Sequence, residues 1–189
     1  MVHVTEENIT IIDNDLLMNE CLRASEGKNA FAYLVSPFIS DYKVPSKVSR
    51  FASNIIGISD IENYTDLIRF LCDLGGDVKV LSRSPKNLLQ IGLSQSFVQK
   101  HARMLLTLHD VGCEIRLNPS LHAKATITSI GVVSGSFNLT KSGRFFNLEA
   151  GFYFANTKGS EQKEYVEKLR WVKEIFEKSI PVSQLDLEF

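Results

Sequence analysis

The sequence predicts an α/β fold, a mixed, mostly parallel sheet of about six or more strands between helical layers. Helix-spaced apolar stripes alternate with short apolar runs along most of the chain, the pattern of strand and helix layers. One run, Ala30 to Val35, is apolar without a break, as expected of a strand covered on both faces. The chain has 189 residues, 44% hydrophobic and 23% charged, enough to bury a core as one domain without metal or disulfide staples. The domain is assigned to residues 1–179, and residues 180–189, with Pro181, to a loose tail.

The elements follow in order. Asp13 or Asn14 is suited to cap a helix carrying Leu17, Met18, Cys21 and Leu22, with Gly27 as its stop. The strand Ala30 to Val35 ends at Ser36-Pro37, and residues 40–57 read as a loop. Ser59 or Asp60 is the expected cap of a helix striped by Ile61, Tyr64, Leu67, Ile68, Leu71 and Leu74, and Gly75-Gly76 separates it from a strand over Val78 to Leu81. A helix from Ser94 to Asp110 carries Phe97, Val98, Met104, Leu105 and Leu108, and Gly112 precedes a strand from Cys113 to Leu117. Strands over Leu121 to Thr128 and Val132 to Ser134, a short helix after Asn138, and a strand over Leu148 to Phe154 come next. A last helix spans about Glu161 to Lys178, with Tyr165, Val166, Leu169, Val172 and Phe176 inward.

With 21 Lys+Arg against 22 Asp+Glu, the chain is not a polycation that coats nucleic acid by bulk charge, so any phosphate binding has to be local. No leader pattern or membrane-length apolar run is seen, and a cytoplasmic protein with no membrane partner is expected. Cys21, Cys72 and Cys113 lie 51 and 41 residues apart with no CxxC pair, so reduced core thiols are expected rather than disulfides or zinc ligands. No internal repeat is present.

The chemistry concentrates in residues 121–151. On a strand His122 and Lys124 leave the same face, holding an imidazole beside an ammonium, while Ala123, Ala125 and Ile127 pack on the other. Gly135 permits close backbone approach, and Ser136 and Asn138 add neutral donors, so the set forms an anion pocket suited to a phosphoryl group. Glu149 is placed to orient a histidine through its ring N–H. Lys141 and Arg144 follow the turn and are candidates for contact with a polynucleotide backbone, as is Arg83 less strongly; solvated surface charge is the competing reading for all three. His101 reads as a hydrogen-bonded core histidine, His109 as a helix C-terminal residue, His3 as part of a mobile end, and Trp171 as partial packing or a dimer contact.

Singly, an HxK tripeptide or a GSxN turn arises by chance. Together, His122-x-Lys124, Gly135-Ser136-Phe137-Asn138-Leu139-Thr140 and Asn147-x-Glu149 resemble the HKD signature of the phospholipase D superfamily, and the GSFN wording is most similar to its small bacterial nucleases. Two departures stand out: Ser129 occupies the position of the family's Asp, five residues after the Lys, and the stretch from His122 to Gly135 is one residue short. The resemblance implies a phospholipase D-like α/β/α fold and a metal-independent phosphodiesterase needing no cofactor. It further implies a homodimer in which two copies of the motif meet, with His122 as nucleophile and general acid and with Lys124, Asn138 and Ser136 holding the phosphoryl oxygens. DNA is the expected substrate ahead of RNA, with a protein partner as a possible source of target choice. A lipid phosphodiesterase, and a non-catalytic DNA-binding or scaffold module with a degenerate motif, stay open as alternatives.

Overall fold

A computed structural model describes residues 2–4, 6–46, 50, 61–145 and 150–182. Its strands are β1 (Val2–Val4), β2 (Phe31–Val35), β3 (Asp77–Ser82), β4 (Glu114–Leu117), β5 (Ala125–Thr128), β6 (Gly131–Gly135), β7 (Gly151–Ala155) and β8 (Ile180–Pro181). The helices described in full are α1 (Glu6–Ser25), α2 (Tyr64–Asp73), α3 (Pro85–Gln90), α4 (Gln95–Asp110), α5 (Lys141–Phe145) and α6 (Ser160–Lys178).

The strands form one mixed sheet in the order β1-β7-β6-β5-β2-β3-β4-β8. The α/β layering matches the expectation, but the share of parallel pairing is smaller than expected. Only β2–β3 and β3–β4 run parallel, and the other five pairings are antiparallel. Helix-strand alternation gives parallel neighbours only where a helix crosses over, and residues 121–155 return instead by tight turns.

Strand alternation sorts the core onto two faces. Ala32, Leu34, Val78, Val80 and Ile115 meet Leu17 and Met18 of α1, Leu67 and Ile68 of α2, and Leu105 and Leu108 of α4. Tyr33, Val35, Ala125, Ile127 and Val132 meet Tyr165, Val172 and Phe176 of α6 on the opposite face. Each fully buried Leu, Val or Phe contributes about 1.5–3 kcal/mol, so the two faces together hold the helices to the sheet. Val166, expected inward, is 43% exposed on the outer side of α6.

Caps explain most helix starts. Ser84 accepts from Asn87 N at 3.1 Å and Pro85 opens α3, while Ser94 accepts from Phe97 N at 3.4 Å to open α4. Asn63 replaces the expected Ser59 or Asp60, which lie outside the described residues, and Asp66 accepts from Asn63 N at 2.9 Å. Gly75 and Gly112, at φ of 84° and 98°, end α2 and α4 in the left-handed conformation.

At α1 the expected cap is wrong. The helix begins at Glu6, and Asp13 and Asn14 sit fully buried within it. Asp13 accepts from Tyr42 OH at 3.4 Å, so an interior polar contact holds a residue type that elsewhere favours helix starts. His3, expected to be mobile, pairs with Phe152 in the β1–β7 ladder. The tail begins as a strand: Ile180 and Pro181 pair with β4, and Val182 N donates to Ile115 O at 3.2 Å. Residues 183–189 lie outside the described residues. Cys72 and Cys113 are free thiols with their Sγ atoms 3.9 Å apart, and that contact, together with burial, raises the pKa of Cys113. No described helix is long and apolar enough to cross a membrane.

Candidate active site

The site residues gather where β5 begins and β6 ends, beside the C-terminal ends of β2 and β3. Four residues shorter than expected at its start, β5 leaves His122 and Lys124 in the extended segment that leads into it. Buried Leu121 anchors that segment, and its carbonyl accepts from Arg83 Nε at 2.7 Å. His122 is exposed, and among the described residues its ring makes no hydrogen bond. Lys124 Nζ donates to His122 O at 2.8 Å, which draws the ammonium back toward the histidine.

The β5–β6 register carries the second motif alongside the first. Ala125 pairs with Ser134, and Gly135 N donates to Lys124 O at 3.2 Å, so Gly135 lies against Lys124. A Cβ on Gly135 would meet Ala150 O at 2.2 Å and Gly151 Cα at 2.7 Å, so no side chain fits there. Beyond it the chain is nailed down at alternate residues. Phe137 is fully buried against Leu16 and Val133, and Leu139 N donates to Ser36 Oγ at 3.1 Å. Asn138, between these anchors, is half-buried, and its Oδ1 has no hydrogen-bond partner among the described residues. Ser136 is exposed, but Ala150 N donates to its hydroxyl at 3.1 Å, so it also tethers the residue that follows Glu149.

Glu149 lies outside the described residues. Arg144 is in α5, where its backbone alone is described. Lys141 opens α5 at the surface, and its N–H donates to Ser40 Oγ at 3.4 Å. The structure therefore brings His122, Lys124, Ser136 and Asn138 into one neighbourhood, with Lys141 three residues further along.

Three positioning residues carried no catalytic signal in the sequence. Gly143 packs on the motif turn so tightly that a Cβ would stand 2.6 Å from Asn138 O and 2.9 Å from its N. Gly143→Ala is expected to push the turn outward at a cost of about 1–3 kcal/mol of stability, as read by urea unfolding. Arg83, a candidate for backbone contact, instead fixes Leu121. His101 is the expected core histidine. Its Nδ1 accepts from Ile39 N at 3.1 Å and its Nε2 donates to Arg83 O at 2.9 Å, pinning both loops that flank the site to α4.

Burial pushes the His101 pKa below its ordinary value of 6.5, against the opposing pull of the Arg83 and Ile39 carbonyls. The unfolded chain then binds the proton that the folded chain refuses. Its contribution to stability is complete above pH 6.5 and is lost as pH falls below that value, at no more than about 1.4 kcal/mol per pH unit. Urea unfolding between pH 5 and 7.5 checks this: His101→Gln is expected to flatten the dependence.

Lys124 also borders a cavity of about 490 Å³ against α6, floored by Ile127 and Phe152. Glu164 and Glu167 on its wall stand with Lys124 and Lys168, so the lining carries two formal charges of each sign. Trp171 lines this cavity and packs against the core, as expected of a partly buried residue.

No protein-family model matches the sequence, and no curated protein matches it significantly. Solved structures do. The chain is similar to Nuc from Salmonella typhimurium, a phospholipase D family member, at 15% identity and a TM-score of 0.60, over 95% of this chain and 94% of that one. It is similar to TrmBL2, an archaeal chromatin protein with a novel mode of DNA binding, at 17% identity and a TM-score of 0.53, over 96% of this chain and 52% of that one. A third likeness, at 8% identity and a TM-score of 0.52, is to polyphosphate kinase from Porphyromonas gingivalis, over 92% of this chain and 22% of that one. The fold around the His122–Lys124 pair is therefore similar to that of Nuc, a phospholipase D family member, over nearly the full length of both chains.

Proposed function

We infer that the chain is a phosphodiesterase, and specifically a metal-independent endonuclease that hydrolyses DNA through a phosphohistidine intermediate. The observation that carries this reading is the exposed imidazole of His122, unengaged within the described fold, with the Lys124 ammonium held against its backbone. A ring nitrogen of His122 attacks phosphorus, forming a P–N bond as the P–O bond to one nucleoside breaks. His122 of the partner subunit protonates the departing oxygen, then takes a proton from water as that water attacks phosphorus and the P–N bond breaks. Lys124 and the Asn138 amide stabilise charge on the nonbridging oxygens. One motif per chain supplies one histidine, so a two-fold dimer completes the pair.

The test is hydrolysis of plasmid and single-stranded DNA in excess EDTA, together with a solution mass. EDTA-resistant cleavage by a dimer is expected; intact DNA across a range of pH would sink the reading. A second reading, a DNA-binding module without turnover, is favoured by Ser129 at the family's Asp position and by the likeness to a chromatin protein. It predicts DNA binding insensitive to His122→Ala and no cleavage by the parent.

A further inference from the structure

A second trough, also of about 490 Å³, lies between α2 and α4 and opens at Lys141. Lys100, Arg103 and Thr107 fall at helical spacing on one face of α4, opposite Thr65, Asp66 and Arg69 of α2. Thr65 Oγ1 meets Met104 Sδ at 3.5 Å and closes the floor. Four cations line the trough in a chain whose net charge is −1, and Lys43 continues the line into the neighbouring cavity that shares Asp41 and Lys141.

The two acids in the trough are engaged. Asp41 Oδ1 accepts from Thr65 N and Tyr42 N, both at 3.1 Å, and Asp66 caps α2 while pairing with Arg69 at 3.2 Å. Lys100 and Arg103 are exposed and form no ion pair with a described residue. One turn before Lys100, Phe97 is 37% exposed with its ring edge-on to Phe38, adding an aromatic surface to the cations.

The near end of the trough adjoins the motif turn. Leu139 of the motif turn bridges to Ile39, Ser40 N donates to Leu139 O at 2.9 Å, and Ser40 and Lys141 form the near end of the trough. We propose that the trough between α2 and α4 binds the phosphate backbone of a nucleic-acid strand, with Lys100 and Arg103 as its distal contacts and Lys141 where the strand turns toward His122. This rests on the reading of His122 as a phosphodiesterase centre and names where its polymeric substrate lies.

The experiment measures binding of a labelled single-stranded DNA oligonucleotide against salt in a His122→Ala background. In parallel, the His122-containing chain is assayed for hydrolysis of DNA and of bis(p-nitrophenyl) phosphate, which is too small to reach the trough. Lys100→Ala/Arg103→Ala is expected to weaken DNA binding about tenfold or more and to make the log K against log salt slope shallower by about 1.5–2. Its KM for DNA rises while turnover of the small ester is unchanged, and Lys173→Ala on the exposed side of α6 changes none of these. Unchanged affinity and slope in a double variant that melts like the parent would overturn the proposal. So would a parent that binds polyglutamate through these residues but not DNA, which would make the trough a site for an acidic protein. A parent that binds DNA through Lys100 and Arg103 but hydrolyses neither ester would retain the trough and refute the catalytic reading.

Discussion

Mixed dimers of the parent chain and His122→Ala are expected to lose activity as the square of the parent fraction. The proposed site needs two histidines with different tasks, one bonded to phosphorus and one moving the leaving-group proton, and each chain brings one. A dimer with a single His122 lacks one of those tasks, so only the parent homodimer turns over. The His122→Ala homodimer is expected to fall at least about 10⁴-fold, the scale seen when a nucleophile that acts within a unit is removed. Stability should barely move, because the ring is exposed and makes no hydrogen bond within the described fold. Subunit exchange followed by rate measurement separates the cases: a linear decline with added variant would mean independent sites in each chain.

The largest loss of stability is expected at Glu20. This carboxylate of α1 is fully buried and joins three structural elements. Its Oε1 accepts from Ser129 N at 2.9 Å and from Ser129 Oγ at 2.5 Å, and its Oε2 accepts from Phe31 N at 3.0 Å. Arg23 Nε lies 3.9 Å away. Tyr165 OH donates to Thr128 O at 2.7 Å from the opposite face, so the β5–β6 turn is clamped from both helical layers. Glu20 thus brings a carboxylate from α1 to the place where the resemblance leads one to expect an Asp at 129.

Glu20→Ala removes the acceptor for two buried amides and a hydroxyl, at about 3–5 kcal/mol, whereas Ser129→Ala loses one hydroxyl contact and costs about 1 kcal/mol. Ser129→Asp sets a second carboxylate against Glu20 and is expected to destabilise as well. Combining it with Glu20→Gln should recover part of that loss. Urea unfolding of the parent, Glu20→Gln, Ser129→Asp and the double variant gives the coupling, and strict additivity would refute the shared-carboxylate account.

The residues that sequence made legible are those whose role is local. HxK spacing, the GSFN turn and the stripes of α2 and α4 depend on neighbours along the chain, and they fall near where expected, except that His122 and Lys124 precede β5 and Phe97 of the α4 stripe is exposed. Glu20 and Ser129 are 109 residues apart, and no pattern joins them until α1 is laid against the β5–β6 turn. For the same reason α1 starts eight or nine residues ahead of where a cap at Asp13 or Asn14 would place it: its buried face includes Asp13, Asn14 and Glu20, which break the apolar stripe. His101 was legible as a core residue, but its hold on Ile39 and Arg83 depends on tertiary contacts. The α4 cations did leave a signal, since Lys100 and Arg103 stand three residues apart, away from the apolar stripe. That spacing is equally common on a solvated face, and only the opposing α2 turns it into a trough.

The two outer strands limit how copies of the chain can meet. β1 has three residues, and β8 has two, one of them Pro181, which has no N–H to offer a neighbouring ladder. Recruitment of another strand at either described margin therefore gains few main-chain bonds. For the proposed dimer, this favours contact at the strand ends, where one chain can present its motif to another, over lateral growth of the sheet.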